Sequence, residues 1–149
     1  MKKESAVTAF ESIAEQFSLL PEGEERLRFL IQLGRGLSPL AASEQIEENL
    51  VRGCLSSVWL VCEQERSAGE TILQFRGASD AQIVSGLVAI VLGRYSGLTP
   101  EAILSVETDS LLEGFGLQAQ LSVGRRNGLS AMIAKIRRFA VDAIEAGSE

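Results

Sequence analysis

Histidine is absent from this chain of 149 residues. The gap removes every nucleophile design that leans on an imidazole base, Ser–His and Cys–His alike. Cysteine is nearly as scarce. Cys54 and Cys62 stand eight positions apart, so there is no CxxC redox pair. Two thiols without a histidine also cannot close a Cys/His zinc site within one chain. Long apolar runs are missing: the best stretch, GLVAIVL at 86–92, sits beside Arg94 and is far short of the ~18 residues of a membrane span. Positive charge is in short supply, with 14 Lys and Arg against 20 Asp and Glu, a net charge of −6 and a pI near 4.8. That balance argues against nucleic acid, whose phosphates call for a basic face, and against an anionic membrane surface. A protein partner stays compatible with it, because local patches can depart from the net sign. The opening MKKESAVTAF has two lysines but no apolar core, since Glu4, Ser5, Thr8 and Glu11 interrupt the region. No signal peptide is read there, so a cytoplasmic protein with reduced thiols is expected. No glycine-rich phosphate loop is read either, because GRGLSPL at 34–40 does not follow a strand.

What is present is globular material, 46% hydrophobic and 23% charged. Its length suits a single domain over 1–149, with 1–5 and 146–149 expected to be flexible. Ala6, Ala9, Phe10, Ile13, Ala14 and Phe17 recur at helical spacing up to a stop at Pro21. A second helix opens on Glu22, Glu24 and Glu25, which suit the positive end of its dipole, and closes at Gly34 or Gly36. Residues 35–53 read as a connector. SSVWLVCE (56–63) and ETILQFRG (70–77) read as the strands of an antiparallel hairpin, with QERSAG (64–69) as its polar turn. Helical period then returns, with Ser79 as the expected N-cap and Asp80 in the first turn, ending at Gly97. Thr99 caps a short helix with Pro100 at its first position, and another short helix is expected over 108–113. The C-terminal segment is one long helix with an apolar stripe through Leu129, Met132, Ile133, Ile136 and Phe139. Gly124 and Gly128 are expected to weaken its first turns. The class is therefore α+β: a small antiparallel sheet packed against helices.

Cys54 is the residue that raises a chemical question. Free cysteines are usually small buried hydrophobes. Against that, Gly53 allows a tight turn, the position is where a connector meets a strand, and Arg52 lies two residues away as a cation able to lower a thiol pKa. Cys62, inside VWLVCE, reads as structural, and Trp59 as a core anchor with one edge able to reach a partner. Arg125 and Arg126 open the last helix where cations oppose its dipole, which hints at an anion or an acidic partner.

Four blocks carry a resemblance: EERLRFLIQLG (24–34), NLVRGCLSSVWLV (49–61), GASDAQIVSGLVAIVLGRYSGLTPEAIL (77–104) and FGLQAQLSVGRRNGLSAM (115–132). In this order and spacing the chain resembles the SufE family of sulfur-acceptor proteins, including its CsdE branch. The resemblance implies a fold like the IscU iron–sulfur scaffold. It also implies a carrier that takes sulfur from a PLP-dependent cysteine desulfurase, stimulates that enzyme, and hands the sulfur toward an Fe–S scaffold. PLP would stay on the partner, with no cofactor or metal held by this chain. Cys54 falls on the acceptor position of a GC-x-S-x-VW motif, preceded by Arg52 and Gly53, and Arg125 on a retained interface arginine. Arg52 stands where some relatives carry histidine. Gln120, Val123, Gly124 and Arg126 depart from the common HLSPSRSNGL, the first two toward the CsdE pattern.

From this follow several expectations. Cys54 is shielded at rest near Leu55 and Val58, and the loop at 50–56 swings out on docking. Asp80 either holds the resting loop through the helix N-terminus or merely caps the helix. The protein is a monomer or weak homodimer. Two other readings remain: an adaptor that stimulates a desulfurase without carrying sulfur, and a stand-alone thiol enzyme such as a peroxide reductase. The latter needs a resolving thiol, a role for which a buried Cys62 is poorly placed.

Overall fold

The computed structural model describes residues 2–108, 111–113, 115–117 and 121–147, with side chains from Phe10 onward. Amphipathic spacing produces helix α1 (Lys2–Ser18), and the acidic-start segment produces α2 (Glu24–Arg35) with Gly36 as its C-cap. The connector folds as two short 3₁₀ turns, Ala42–Glu44 and Glu47–Asn49. The hairpin follows as β1 (Val58–Ser67) and β2 (Glu70–Ser79), then helices α3 (Gln82–Tyr95), α4 (Pro100–Ser105) and α5 (Val123–Gly147). Of the ends expected to be flexible, Met1, Ser148 and Glu149 lie outside the described residues, while Lys2–Ser5 open α1 and Ala146 and Gly147 close α5.

The two strands pair antiparallel from Val58↔Ser79 to Ser67↔Glu70. Strand pairing runs through the expected polar turn: Gln64↔Leu73, Glu65↔Ile72 and Arg66↔Thr71 are all in register. The true turn is Ala68–Gly69, both at positive φ (52° and 82°), the two-residue geometry that matches strand twist. Arg66 fastens it by donating to Thr71 Oγ1 (2.8 Å) and the Gly69 carbonyl (3.0 Å). At the other end, pairing also outlasts the sequence expectation. Ser79 is the last residue of β2 rather than a helix cap, α3 begins only at Gln82 after Ala81, and Asp80 lies before the helix instead of in its first turn. Thr99 does cap α4, its Oγ1 accepting from Ala102 N at 3.2 Å, with Pro100 next. The helix expected over 108–113 falls partly on residues outside the described set; Leu111–Glu113 form a turn.

Burial explains the arrangement. Alternation along the hairpin sends Leu60, Leu73 and Phe75 to one face, where α3 and α5 cover them. Helix α3 is apolar on most sides and buries Leu87, Val88, Ile90, Val91 and Tyr95, as a central helix must. Trp59, which the sequence pointed to as a core anchor, alternates onto the opposite face of β1, is only half-buried, and stands outside the core cluster. Among the described residues, Arg26 is the buried charged group. Its Nε and Nη2 donate to the Leu20 carbonyl (3.1 and 3.0 Å) and Nη1 to the Phe115 carbonyl (2.9 Å), so its buried donors are satisfied. No described helix is long and apolar enough to cross a membrane.

Candidate functional site

The hairpin's entry creates the site. Just before β1 the chain makes a narrow-necked loop, Arg52–Ser56. Val51 N donates to the Val58 carbonyl at 2.8 Å, closing the neck on one side. The end of β2 closes the other side: Ser57 N donates to Asp80 Oδ1 (3.1 Å), Asp80 N to the Ser57 carbonyl (3.3 Å), and Ser79 Oγ to the same carbonyl (2.7 Å). Asp80 therefore grips the loop's base through the Ser57 backbone, without a helix N-terminus as intermediary. Gly53 turns the loop at φ +97°, a conformation L side chains resist.

Cys54 hangs from this loop against the start of α5. Its Sγ donates to the Gly128 carbonyl at 3.6 Å, a long contact of the kind sulfur makes. It lines a cleft of about 330 Å³ whose apolar walls include Val84, Leu87 and Met132, with Arg125 also lining it. Burial pushes the Cys54 thiol above its ordinary pKa, so the resting group is a protonated thiol. Shielding near Val58 and Leu55 was expected. Val58 is indeed buried, while Leu55 lines the same cleft yet is 91% exposed. The cover comes from α3 and α5. Leu55, and Val123 (73% exposed) between the cleft-lining Ser122 and Gly124, leave two apolar side chains open to solvent.

The charged candidates divide. Arg125 lies at the cleft, in the first turn of α5, where its N donates to Ser122 Oγ at 3.3 Å, making Ser122 the helix cap. Arg52 is directed away: its guanidinium pairs with Glu47 at 2.9 Å on the surface, and burial alone accounts for the Cys54 shift. Arg126 faces a different hollow, beside Leu129 and Ile133. Gln120 lies outside the described residues. Cys62 is half-buried on the hairpin's inner face, with its pKa pushed up to about 11 by burial and by the Glu63 carboxylate. Among the described residues no group of three or more His, Cys, Asp or Glu is placed to hold a metal.

Sequence reasoning missed the side chains that wall the cleft, Val84, Leu87 and Met132, and the importance of Gly124 and Gly128. The signal for the glycines was present: two glycines four apart in an otherwise strong helix mark a face that something approaches closely.

The chain is similar to known proteins over most of its length. A family model described as "SufE: Fe-S metabolism associated domain" matches residues 11–140. A SufE-like protein of Rhizobium etli is 40% identical over 134 residues, covering 90% of each chain. One from Rhizobium meliloti is also 40% identical over 134 residues, covering 90% of this chain and 96% of its own. The fold is shared with the solution structure of a hypothetical protein from Thermus thermophilus. That match has a TM-score of 0.67 at 22% identity and covers 92% of this chain and 96% of the other.

Proposed function

The chain belongs to the SufE family, whose domain is associated with Fe–S metabolism, and on that premise we propose that Cys54 is a sulfur acceptor. It takes sulfane sulfur from a PLP-dependent cysteine desulfurase, raises that enzyme's turnover by clearing its product, and passes the sulfur to a scaffold thiolate in cluster assembly. The observation that carries this reading is the placement of Cys54: a single thiol on a narrow-necked loop, lodged in a largely apolar cleft that the exposed Leu55 also lines.

The transfer asks little of the chain. Cys54 thiolate attacks the outer sulfur of the donor's persulfide. A new S–S bond forms, the donor's own S–S bond breaks, and the donor cysteine leaves as a thiolate. One sulfur moves, no net oxidation occurs, and the proton shed by Cys54 ends on the departing thiolate or in solvent. A thiolate leaves without a proton donor, so a chain with no histidine can take part. The closed loop suits the carrier's other need, since persulfides and exposed thiolates are readily oxidised. Docking of the partner on Leu55 and Val123 would draw the loop outward, and Arg125 of the cleft lining would then face the emerging charge. The working form is a cytoplasmic monomer or weak homodimer.

The test is to incubate the protein with a cysteine desulfurase, PLP and L-cysteine and weigh it. Wild type and Cys62→Ser gain one sulfur atom, and Cys54→Ser gains none. Uptake by Cys54→Ser would remove the assignment, whereas undiminished stimulation of the desulfurase by Cys54→Ser would favour an adaptor that carries nothing.

A further inference from the structure

The loop and the long helix meet along one line. Gly124, Gly128, Ala131 and Lys135 of α5 follow one another at spacings of four, three and four, so they share a face of that helix. The loop crosses that face in reverse order. A Cβ placed on Gly124 would stand 2.6 Å from Leu55 Cδ1, and one placed on Gly128 would stand 3.2 Å from Cys54 Sγ. A Cβ on Gly53 would stand 3.3 Å from that of Ala131. Lys135 Nζ donates to the carbonyls of Leu50 (3.3 Å) and Glu48 (3.4 Å). Each step along the helix is thus matched by a step back along the loop.

The two sides of this contact differ in stiffness. Helix α5 is pinned into the core by Met132, Ile133, Ile136 and Ala140. Arg52–Ser56 belongs to no helix or strand, Arg52 and Gly53 forming a turn, and the bonds that tie it to the rest of the fold run through its neck at Val51 and Ser57. Any added bulk on the helix face is therefore relieved by the loop moving.

We propose that Gly128 is the positioning residue that seats Cys54, its missing Cβ admitting the sulfur to the helix surface while its carbonyl receives the thiol. The proposal takes its purpose, though not its geometry, from the sulfur-acceptor reading. Position 128 then sets how much of the time the thiol is presented. An alanine there brings Sγ into a contact that must lengthen by a few tenths of an ångström, and the loop supplies the movement. Gly124 is a different case: the close contact an alanine makes there is with the tip of the exposed, rotatable Leu55, while Leu55 Cγ (3.5 Å) and Ser122 Oγ (4.0 Å) stand at ordinary distance.

The experiment measures iodoacetamide alkylation of Cys54 from pH 6 to 10 in a Cys62→Ser background, with folding followed by circular dichroism. Gly128→Ala favours the helix and should stay folded. It is expected to alkylate roughly tenfold faster near neutral pH, with the midpoint of its rate profile moved down toward that of an ordinary thiol. A merely structural glycine would shift the melting temperature and leave that midpoint alone. Gly124→Ala moves the rate far less. Lys135→Met, which removes the ties to Glu48 and Leu50, accelerates alkylation by about threefold. A folded Gly128→Ala with the wild-type rate and midpoint overturns the proposal. If that variant does not fold, an unchanged rate in Lys135→Met does so instead. No desulfurase is involved, so a failed sulfur transfer with an opened thiol would sink the carrier reading and leave the seat standing.

Discussion

Cys54 and Cys62 are both half-buried, and burial raises the pKa of each. What separates them is the backbone that carries them. Cys62 lies within a ten-residue strand, opposite Phe75, with ladder pairs before and after it. To leave its environment it must unzip the hairpin and expose core. Cys54 rides on a loop held at its neck and touching α5 through a sulfur contact and small residues. It can emerge while the fold stays whole. Buried reactivity is therefore a property of what holds the thiol in place as much as of the thiol's own surroundings.

The sharpest way to break this comparison is alkylation of the wild-type protein with peptide mapping. Cys54 should react roughly a hundredfold faster than Cys62, because local opening reaches one and only sheet rupture reaches the other. Both rates should climb with pH, since a raised thiol pKa leaves little thiolate at neutrality. For Cys62 the climb should continue to about pH 11. Equal rates would mean that the loop is no looser than the strand.

A smaller effect is expected at the neck. Asp80→Ala removes the acceptor for Ser57 N. It should speed Cys54 alkylation by about threefold to fivefold, the equivalent of one hydrogen bond, and leave Cys62 unchanged. A matching rise at Cys62 would show general loosening instead.

The smallest effect concerns the connector that delivers the loop. Glu44 accepts from Arg76 Nη1 at 3.0 Å and Nη2 more closely, and also from Ala41 N at 3.0 Å. The Arg76 guanidinium is the main cause that holds its carboxyl at about 2, below the usual value near 4.5. A depressed carboxyl stabilises the fold above its unfolded-state pKa, and that contribution fades as pH falls from about 4.5 to about 2. Urea unfolding across that window should therefore show a shallower pH dependence for Glu44→Gln than for wild type. Identical slopes would mean the pair does not anchor the connector.

Much of the fold could be read from local pattern. Helix periodicity, the hairpin and the Thr99–Pro100 start of α4 are decided by residues near one another in sequence. Boundaries were harder to place, because cross-strand partners overrode local preference. Gln64, Glu65 and Arg66 look like a turn yet pair with Leu73, Ile72 and Thr71, and Ser79 looks like a cap yet pairs with Val58. In the site, Cys54 stood out through its neighbours and through the family resemblance. Its seat did not, because Gly128 lies 74 residues away and a glycine early in a helix reads first as a weakness. Arg52 illustrates the opposite error: nearness in sequence suggested a partner for the thiol, and space gave it Glu47.

The rims of the hairpin carry a further consequence. Unsatisfied N–H and C=O groups along a bare sheet margin would recruit strands from other copies. Here one rim is taken up where Leu73 N donates to the Leu98 carbonyl and Gly97 N to that of Leu73, and the other where Val51 meets Val58. Beyond them β1 continues through Glu63, Glu65 and Arg66, a charged fringe that discourages an incoming chain. Movement of the Arg52–Ser56 segment therefore bares no adhesive β-margin, so repeated opening in a crowded cell need not seed fibrils.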